Sequence, residues 1–109
     1  MHKVRFTWDQ EGHVTALAEP PDDILAHYLV DEVRNNHRMC HRLLDIIRAL
    51  RKGSHSSWRA DGEAWSVKMS RNRAVIESEI AVPGRAREMS LEEFEELLHS
   101  WLRFVETTR

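Results

Sequence analysis

The stretch "DDILAHYLVDEVRNNHRMCHRLLDIIRALRKG", Asp22 to Gly53, decides the fold, because its apolar residues recur at the spacing of one long helix. Helical residues advance by about 100° each. Opposite Arg34, this spacing gathers one apolar stripe that also contains an amide: Leu25, Leu29, Asn36, Cys40, Leu43, Ile47 and Leu50. The preceding "EPPDD" suits a helix N-terminus, and Gly53 suits a C-terminal stop. We therefore predict one helix from about Asp22 to Lys52.

Strands are predicted on both sides of this helix. Before it, "KVRFTW" alternates between apolar and polar residues like a half-buried strand, "DQEG" supplies a turn, and "HVTALA" is the hairpin partner. After it, "SSWRA", "EAWSVKMS" and "RAVIESEIAV" are three more strands. The inward faces are predicted to carry Val4, Phe6 and Trp8 in the first strand, Trp65, Val67 and Met69 in the fourth, and Ile76, Ile80 and Val82 in the fifth.

The last part of the chain is predicted to be a loop, "PGRARE", followed by a helix, "SLEEFEELLHSWLRFVE". Ser90 and Glu93 form the capping box of this helix. The order β-β-α-β-β-β-α predicts a single α+β domain over residues 1–109. We expect a two-layer sandwich in which an antiparallel sheet of about five strands carries both helices on one face.

Composition limits the class of protein. The chain has 109 residues, of which 41 % are hydrophobic, and its net charge is −2. No apolar run approaches the roughly 20 residues that span a bilayer, and "MHKVRFTWDQEG" has no secretory core. The single cysteine excludes an internal disulfide framework. These features predict a cytoplasmic protein that does not enter the membrane.

Metal or nucleophile chemistry is suggested by His37-x-x-Cys40-His41, and the helical periodicity argues against it. Cys40 falls in the apolar stripe, whereas His41 points about 100° away. His37 and His41 have the zincin spacing but lack its glutamate and a third ligand. His55 lies among serines in a loop, with no acid to orient it. We therefore expect no metal, no cofactor and no catalytic residue, and the alternative of a metal enzyme is the weakest.

Two residues are predicted to have structural polar roles. Asn36 is an amide in the apolar stripe, so we expect it to make buried hydrogen bonds that fix the helix. The alternative is that it lies under a ligand pocket. Trp58 follows "KGSHSS", and we expect it to be half-exposed or to anchor that loop.

Charge is segregated along the chain and defines two candidate surfaces. Residues 34–73 contain ten basic and three acidic residues, and the chain from Glu88 onward contains six acidic and two basic residues. We call the first surface the basic ridge, and it comprises Arg34, Arg38, Arg42, Arg48 and Lys52. We call the second the acidic face, and it comprises Glu92, Glu93 and Glu96 with Glu95 at its edge. The acidic face is the predicted partner-binding surface, because it would complement a basic partner.

The assembled pattern resembles the YacL family of small bacterial cytoplasmic proteins, whose function is uncharacterised. The resemblance rests on short motifs along nearly the whole chain: "D-x-x-G-x-V-x-A" from Asp9 to Ala16, "YLVDEVRNN", "LLD", "KGSHSSWRADGEAW" and "LEEFEELLHSWLRFV". It implies fold and compartment and no known reaction. Proteins that look like this also occur among the immunity partners of contact-dependent growth inhibition toxins, which are often nucleases.

The leading hypothesis is a non-enzymatic protein-binding module, most concretely an immunity protein that neutralises a basic nuclease toxin domain. The alternatives are a nucleic-acid-binding protein that uses the basic ridge and a housekeeping YacL-like protein. We expect nucleic-acid binding to be weak, because Asp45 interrupts the ridge and no aromatic residues alternate with its bases.

Overall fold

The computed structural model describes residues 3–34, 36–62, 64–78 and 85–107. Within these residues the α+β prediction is confirmed, and every strand pairing is antiparallel. The strands are β1 (Arg5–Trp8), β2 (Val14–Leu17), β3 (Ser57–Asp61), β4 (Trp65–Ser70), β5 (Arg73–Ser78) and β6 (Ala86–Ser90). The helices are α1 (Asp23–Tyr28), a π-helical turn (Leu29–Val33), α2 (His37–Lys52) and α3 (Leu91–Thr107).

The strands divide into a two-stranded sheet, β1-β2, and a four-stranded sheet, β3-β4-β5-β6. The hairpin β1-β2 is separate because its aromatic residues pack on α3. Phe6 meets Trp101 edge to face at 5.3 Å between ring centroids, and Trp8 stacks on Phe104 at 5.5 Å. The predicted inward face of β1 is therefore confirmed, and α3 is the surface that covers it.

The four-stranded sheet carries the core on one face. The alternation predicted for β4 is confirmed, since Trp65, Val67 and Met69 are all buried. Val67 pairs with Ile76 of β5, and both lie on the face that α1 and α3 cover. Ile80 and Val82, which were predicted to extend the same face, lie outside the described residues.

The predicted loop at "PGRARE" is wrong for residues 86–88, which belong to β6. Sequence alternation hid this strand because one of its inward positions is an arginine. Arg87 pairs with Ile76 across the sheet, and its Nε donates to the buried carboxylate of Asp22 at 2.9 Å. Beside it, Arg85 donates two hydrogen bonds to Asp23, at 2.8 and 2.9 Å. Together these pairs join the start of α1 to the edge of the sheet.

The prediction of one helix from Asp22 to Lys52 is also wrong, because the helix ends at Arg34. The backbone N–H of Arg34 donates to the Leu29 carbonyl, five residues back, at 2.6 Å. Arg34 itself has φ 52° and ψ −140°, which no helix can continue. Its carbonyl is then free to accept from the indole N–H of Trp101 at 2.7 Å. A long-range contact with α3 therefore holds the break in place.

The π-helical turn brings two acids onto the β3-β4 hairpin. Glu32 Oε1 accepts the backbone N–H groups of Ala64 and Trp65, at 2.9 and 3.0 Å. Asp31 accepts the Trp65 indole N–H at 3.0 Å. The Glu32 carboxylate lies so close to Gly62 that a β-carbon there would collide with it. The segments "VDEV" and "ADGEAW" therefore contact each other in the folded protein.

Beyond the break, α2 and α3 pack antiparallel. Arg51 near the end of α2 pairs with Glu95 near the start of α3, and His37 lies 3.9 Å from Glu106 at their other end. The predicted capping box is confirmed in its first half, since Ser90 Oγ accepts the Glu93 backbone N–H at 3.0 Å. Among the residues described, no helix is long and apolar enough to span a membrane.

The Glu32 contact yields a stability prediction. Replacing Glu32 by Ala leaves two backbone N–H groups without their acceptor, so the free energy of unfolding should fall by about 1–3 kcal/mol. Glu32→Gln keeps an acceptor oxygen and should lose less. Urea unfolding monitored by fluorescence measures both. Glu96→Ala, an exposed control, should change stability by less than about 0.5 kcal/mol. An unchanged midpoint in Glu32→Ala would contradict this account of the hairpin.

The Asp23–Arg85 pair predicts acid sensitivity. The hydrogen bonds from Arg85 lower the pKa of Asp23 below its ordinary value of 3.8. A carboxylate with a lowered folded-state pKa stabilises the protein above its unfolded-state pKa, and this stabilisation disappears as pH falls through the folded-state value. Asp23→Asn should therefore be less stable than wild type near pH 6, by up to about 1 kcal/mol. In thermal melts this difference should shrink toward pH 2, and a pH-independent difference would contradict it.

Candidate functional site

The acidic face lies on the first half of α3, opposite the buried side chains of that helix. Phe94, Leu98 and Trp101 are in the core, whereas Glu92 and Glu96 are exposed. Neither Glu92 nor Glu96 forms an ion pair with any residue in the described part of the chain. The acidic face therefore presents two unpaired carboxylates one helical turn apart.

The other two members of the acidic face are already engaged. Glu93 is half-buried at the helix start, where its backbone N–H is capped by Ser90. Glu95 is also half-buried and pairs with Arg51 of α2. Sequence periodicity had placed Glu93 on the outer face and Glu95 at its edge, whereas both are half-buried in the structure. It could not foresee that α2 would supply a partner for Glu95.

The basic ridge is shorter than predicted. Arg38, Arg42 and Lys52 are exposed along α2, and Arg48 is exposed but pairs with Asp45 at 3.2 Å. Arg34 does not belong to this surface, because it lies before α2, beyond the helix break. The ridge is thus a property of α2 alone, and an acid interrupts it at mid-length.

Among the predicted site residues, Asn36 is the one whose predicted position is most clearly wrong. It is exposed and forms the N-cap of α2, where its side-chain oxygen accepts the Met39 backbone N–H at 3.0 Å. The prediction of a buried amide assumed an unbroken helix across Arg34. The signal that could have corrected it is "NNH", since asparagine is a preferred N-cap residue. Trp58, in contrast, is half-buried on β3 against the core, within the range expected of it.

Cys40 and His41 diverge as the periodicity predicted. Cys40 is 1 % exposed, and its thiol donates to the Leu98 carbonyl at 3.6 Å, whereas His41 is exposed. Burial raises the pKa of Cys40 to about 11, so the thiol stays protonated at neutral pH. A protonated, enclosed thiol is neither a nucleophile nor a metal ligand.

The β1-β2 turn contains a group of possible metal ligands that no sequence motif indicated. Ligand atoms of Asp9, Glu11 and His13 lie within 4.8 Å of one another, and all three residues are exposed. Asp9 also accepts the backbone N–H groups of His13 and Glu11, at 2.8 and 2.9 Å, and the His13 hydrogen bond lowers the pKa of Asp9. Turn formation is therefore enough to explain this cluster.

A groove of about 950 Å³ runs between this hairpin and the helix break. One wall is the end of β1 and its turn, and the other is formed by the π-helical turn, the start of α2 and the end of α3. Its lining comprises Trp8, Asp9, Gly12, His13, Val14, Thr15, Val30, Arg34, His37 and Val105. No periodicity in the sequence could have assembled this groove, since its walls come from four distant segments.

Over the described residues, fold and surface define a small α+β protein with two antiparallel sheets, two charged helix faces and a groove beside the helix break. The chain belongs to the uncharacterised protein family UPF0231, whose family model matches residues 3–93. This confirms the resemblance to the YacL-like family. Comparisons with curated proteins and with solved structures found no match.

The corrected role of Asn36 can be tested directly. Asn36→Ala removes the acceptor for the Met39 N–H and should lower the free energy of unfolding by about 0.5–2 kcal/mol. Asn36→Ser restores a capping oxygen and should recover most of this loss. Denaturant melts measure the effect, and amide hydrogen exchange at Met39 should accelerate only in the alanine variant. Equal stability of the alanine and serine variants would exclude the capping role.

Proposed function

We propose that this protein is a non-enzymatic binding module that docks the acidic face of α3 onto a basic domain of another protein. The observation that carries the proposal is the pair Glu92 and Glu96, which are exposed and lack an ion pair within the described residues. Basic partners are attracted to such a surface before contact, which raises the association rate.

The pair is unusual within this molecule, because many of its other acids have partners. On the outer face of the four-stranded sheet, Lys68 pairs with Glu77 and Arg73 pairs with Glu88, both at 3.0 Å. Asp22 and Asp23 likewise pair with arginines of and beside β6. Unpaired acids are thus not a general feature of the described surface.

The helix dipole explains why Glu92 is acidic, but it does not explain Glu96. Glu92 lies in the first turn of α3, where an acid is stabilised by the helix dipole. Glu96 lies beyond that turn, and like charges four residues apart destabilise a helix by about 0.2–0.5 kcal/mol. The helix dipole therefore does not account for the charge of Glu96, whereas contact with a basic partner would.

In its most concrete form, the proposed partner is a nuclease toxin domain of a contact-dependent growth inhibition system, and the protein is its cytoplasmic immunity protein. Nuclease domains carry basic surfaces for the phosphate backbone. An acidic surface can occlude such a site without any chemistry of its own. This form of the proposal is supported by charge complementarity and by the resemblance stated for the sequence.

The second candidate function is nucleic-acid binding through the basic ridge. It is favoured by Arg38, Arg42 and Lys52, which are exposed along one side of α2. It is opposed by the Arg48–Asp45 pair within the ridge. Submicromolar binding to RNA or DNA at physiological salt, lost in Arg38→Glu with Arg42→Glu, would place this function first.

The proposed function predicts that charge reversal weakens binding without unfolding the protein. Glu92→Lys with Glu96→Lys should slow association with the toxin domain encoded by the adjacent gene by roughly tenfold or more at low salt, and the loss should shrink at high salt. Surface plasmon resonance measures the rates. Glu93 is left unchanged because it belongs to the helix cap. Glu92→Gln with Glu96→Gln separates loss of charge from reversal.

The matched control is Glu77→Lys with Lys68→Glu, which exchanges an existing pair on the outer sheet face and should bind normally. Unaltered association of the charge-reversed variant would exclude the acidic face. Absence of a neighbouring toxin gene would exclude the immunity form. In that case, a photo-crosslinker at position 96 should still capture a basic protein in cells, and one at position 59 should not. No capture at position 96, or equal capture at both positions, would exclude the proposed function.

A further inference from the structure

We propose that the groove beside Arg34 binds a small organic anion that combines an apolar body with one carboxylate or phosphate group. This inference is independent of the proposed function, because the groove and the acidic face share no residue. Its volume of about 950 Å³ is within the range of roughly 300–1,000 Å³ that is typical of sites for small molecules.

The anion-binding end of the groove is formed by Arg34. Its Nε donates to the Asp31 carbonyl at 3.0 Å, which orients the guanidinium group. The two terminal nitrogens of this group have no hydrogen-bond partner among the described residues. A guanidinium fork held at one nitrogen and open at two is suited to a carboxylate or a phosphate.

The start of α2 adds to the positive potential at the same end. The first turn of α2 contains no acid, and Asn36 caps only the Met39 N–H. The N–H groups that precede it in this turn have no acceptor within the helix. His37 also lines the groove, but its neighbour Glu106 at 3.9 Å offsets any charge it carries. Arg34 is therefore the main cation of the site.

The backbone of Arg34 is a separate argument for a role of its side chain. With φ at 52° and ψ at −140°, Arg34 occupies a region that favours glycine. The long-range bond that holds the break uses the Arg34 carbonyl, and the bond that closes the turn uses its N–H, which glycine also has. The side chain adds one exposed bond, from Nε to the Asp31 carbonyl. Apart from that exposed bond, glycine would meet the needs of the fold at this position with less backbone strain. A strained residue whose side chain faces a groove is typical of a functional site.

The rest of the groove suits an apolar body. Val14, Val30 and Val105 line it, together with Trp8, whose ring stacks on Phe104. The Trp8 indole N–H is buried and has no partner among the described residues. Asp9 lies at the rim, where its carboxylate is engaged by the turn and by His13. The groove therefore offers apolar walls and one unpaired cation.

The test uses four probes that separate charge from shape: 1-naphthoate, 1-naphthyl phosphate, neutral naphthalene-1-methanol and inorganic phosphate. Isothermal titration should show that at least one naphthyl anion binds, with the neutral alcohol and inorganic phosphate weaker by roughly tenfold or more. The order of the two anions identifies the preferred head group. Equal binding of the alcohol, or no binding by either anion, would overturn the proposal.

The decisive variant is Arg34→Gly. Its urea midpoint should stay close to that of wild type, because relief of the positive φ offsets loss of the exposed bond from Nε to the Asp31 carbonyl. Its affinity for the naphthyl anion should fall by roughly tenfold or more. Arg34→Asn, which also tolerates positive φ, is the second variant should glycine fail to fold. Arg5→Gln, an exposed arginine outside the groove, is the matched control and should bind normally. Unchanged affinity in both Arg34 variants would overturn the proposal.

Discussion

The end of the first helix at Arg34 is the constraint on which the rest of the structure depends. A straight helix from Asp22 would carry the chain away from α3 and leave Glu32 on a continuous helical surface. Instead, the π-helical turn delivers Glu32 to the β3-β4 hairpin, and the reversal after it sends α2 back along α3. Trp101 holds the break by donating its indole N–H to the Arg34 carbonyl. One local departure from helical geometry thus joins the sheet, the helix pair and the groove.

The charged side chains of the molecule fall into two groups: those whose hydrogen bonds connect distant segments of the fold, and those that make no such bonds within the described residues. Asp22, Asp23 and Glu32 all make hydrogen bonds that connect distant segments, and their removal leaves partners unsatisfied. Glu96 and the terminal nitrogens of Arg34 make no such bonds within the described residues. Because a charge without a partner gains little from folding, these groups are the ones that intermolecular contacts best explain. Glu96 lies near the start of α3, and the groove beside Arg34 reaches Val105 near its end.

The local sequence pattern agrees with the tertiary structure over most of the described chain and disagrees with it at two places. Within α2, the apolar stripe from Cys40 to Leu50 is buried as its 100° spacing requires. The same spacing, read as part of one helix from Asp22 to Lys52, assigned Asn36 to the core. That assignment is wrong because Asn36 lies outside α2, at its N-cap, and angular periodicity has meaning only while the helix is continuous. In β6 the alternation was masked by Arg87, whose inward position is stable only because Asp22 arrives from another element to pair with it.

The sequence by itself determined the antiparallel α+β class, the hairpins, the capping of α3 and the buried faces of β4 and α2. These features depend on neighbours within a few residues, and turn chemistry, capping and periodicity report such neighbours directly. Only the tertiary structure decided where the first helix ends, how six described strands divide between two sheets, and which segments line the groove. Each of these depends on contacts between residues far apart in the chain. Trp101 meets Arg34 across 67 positions, and no local pattern encodes a bond of that span.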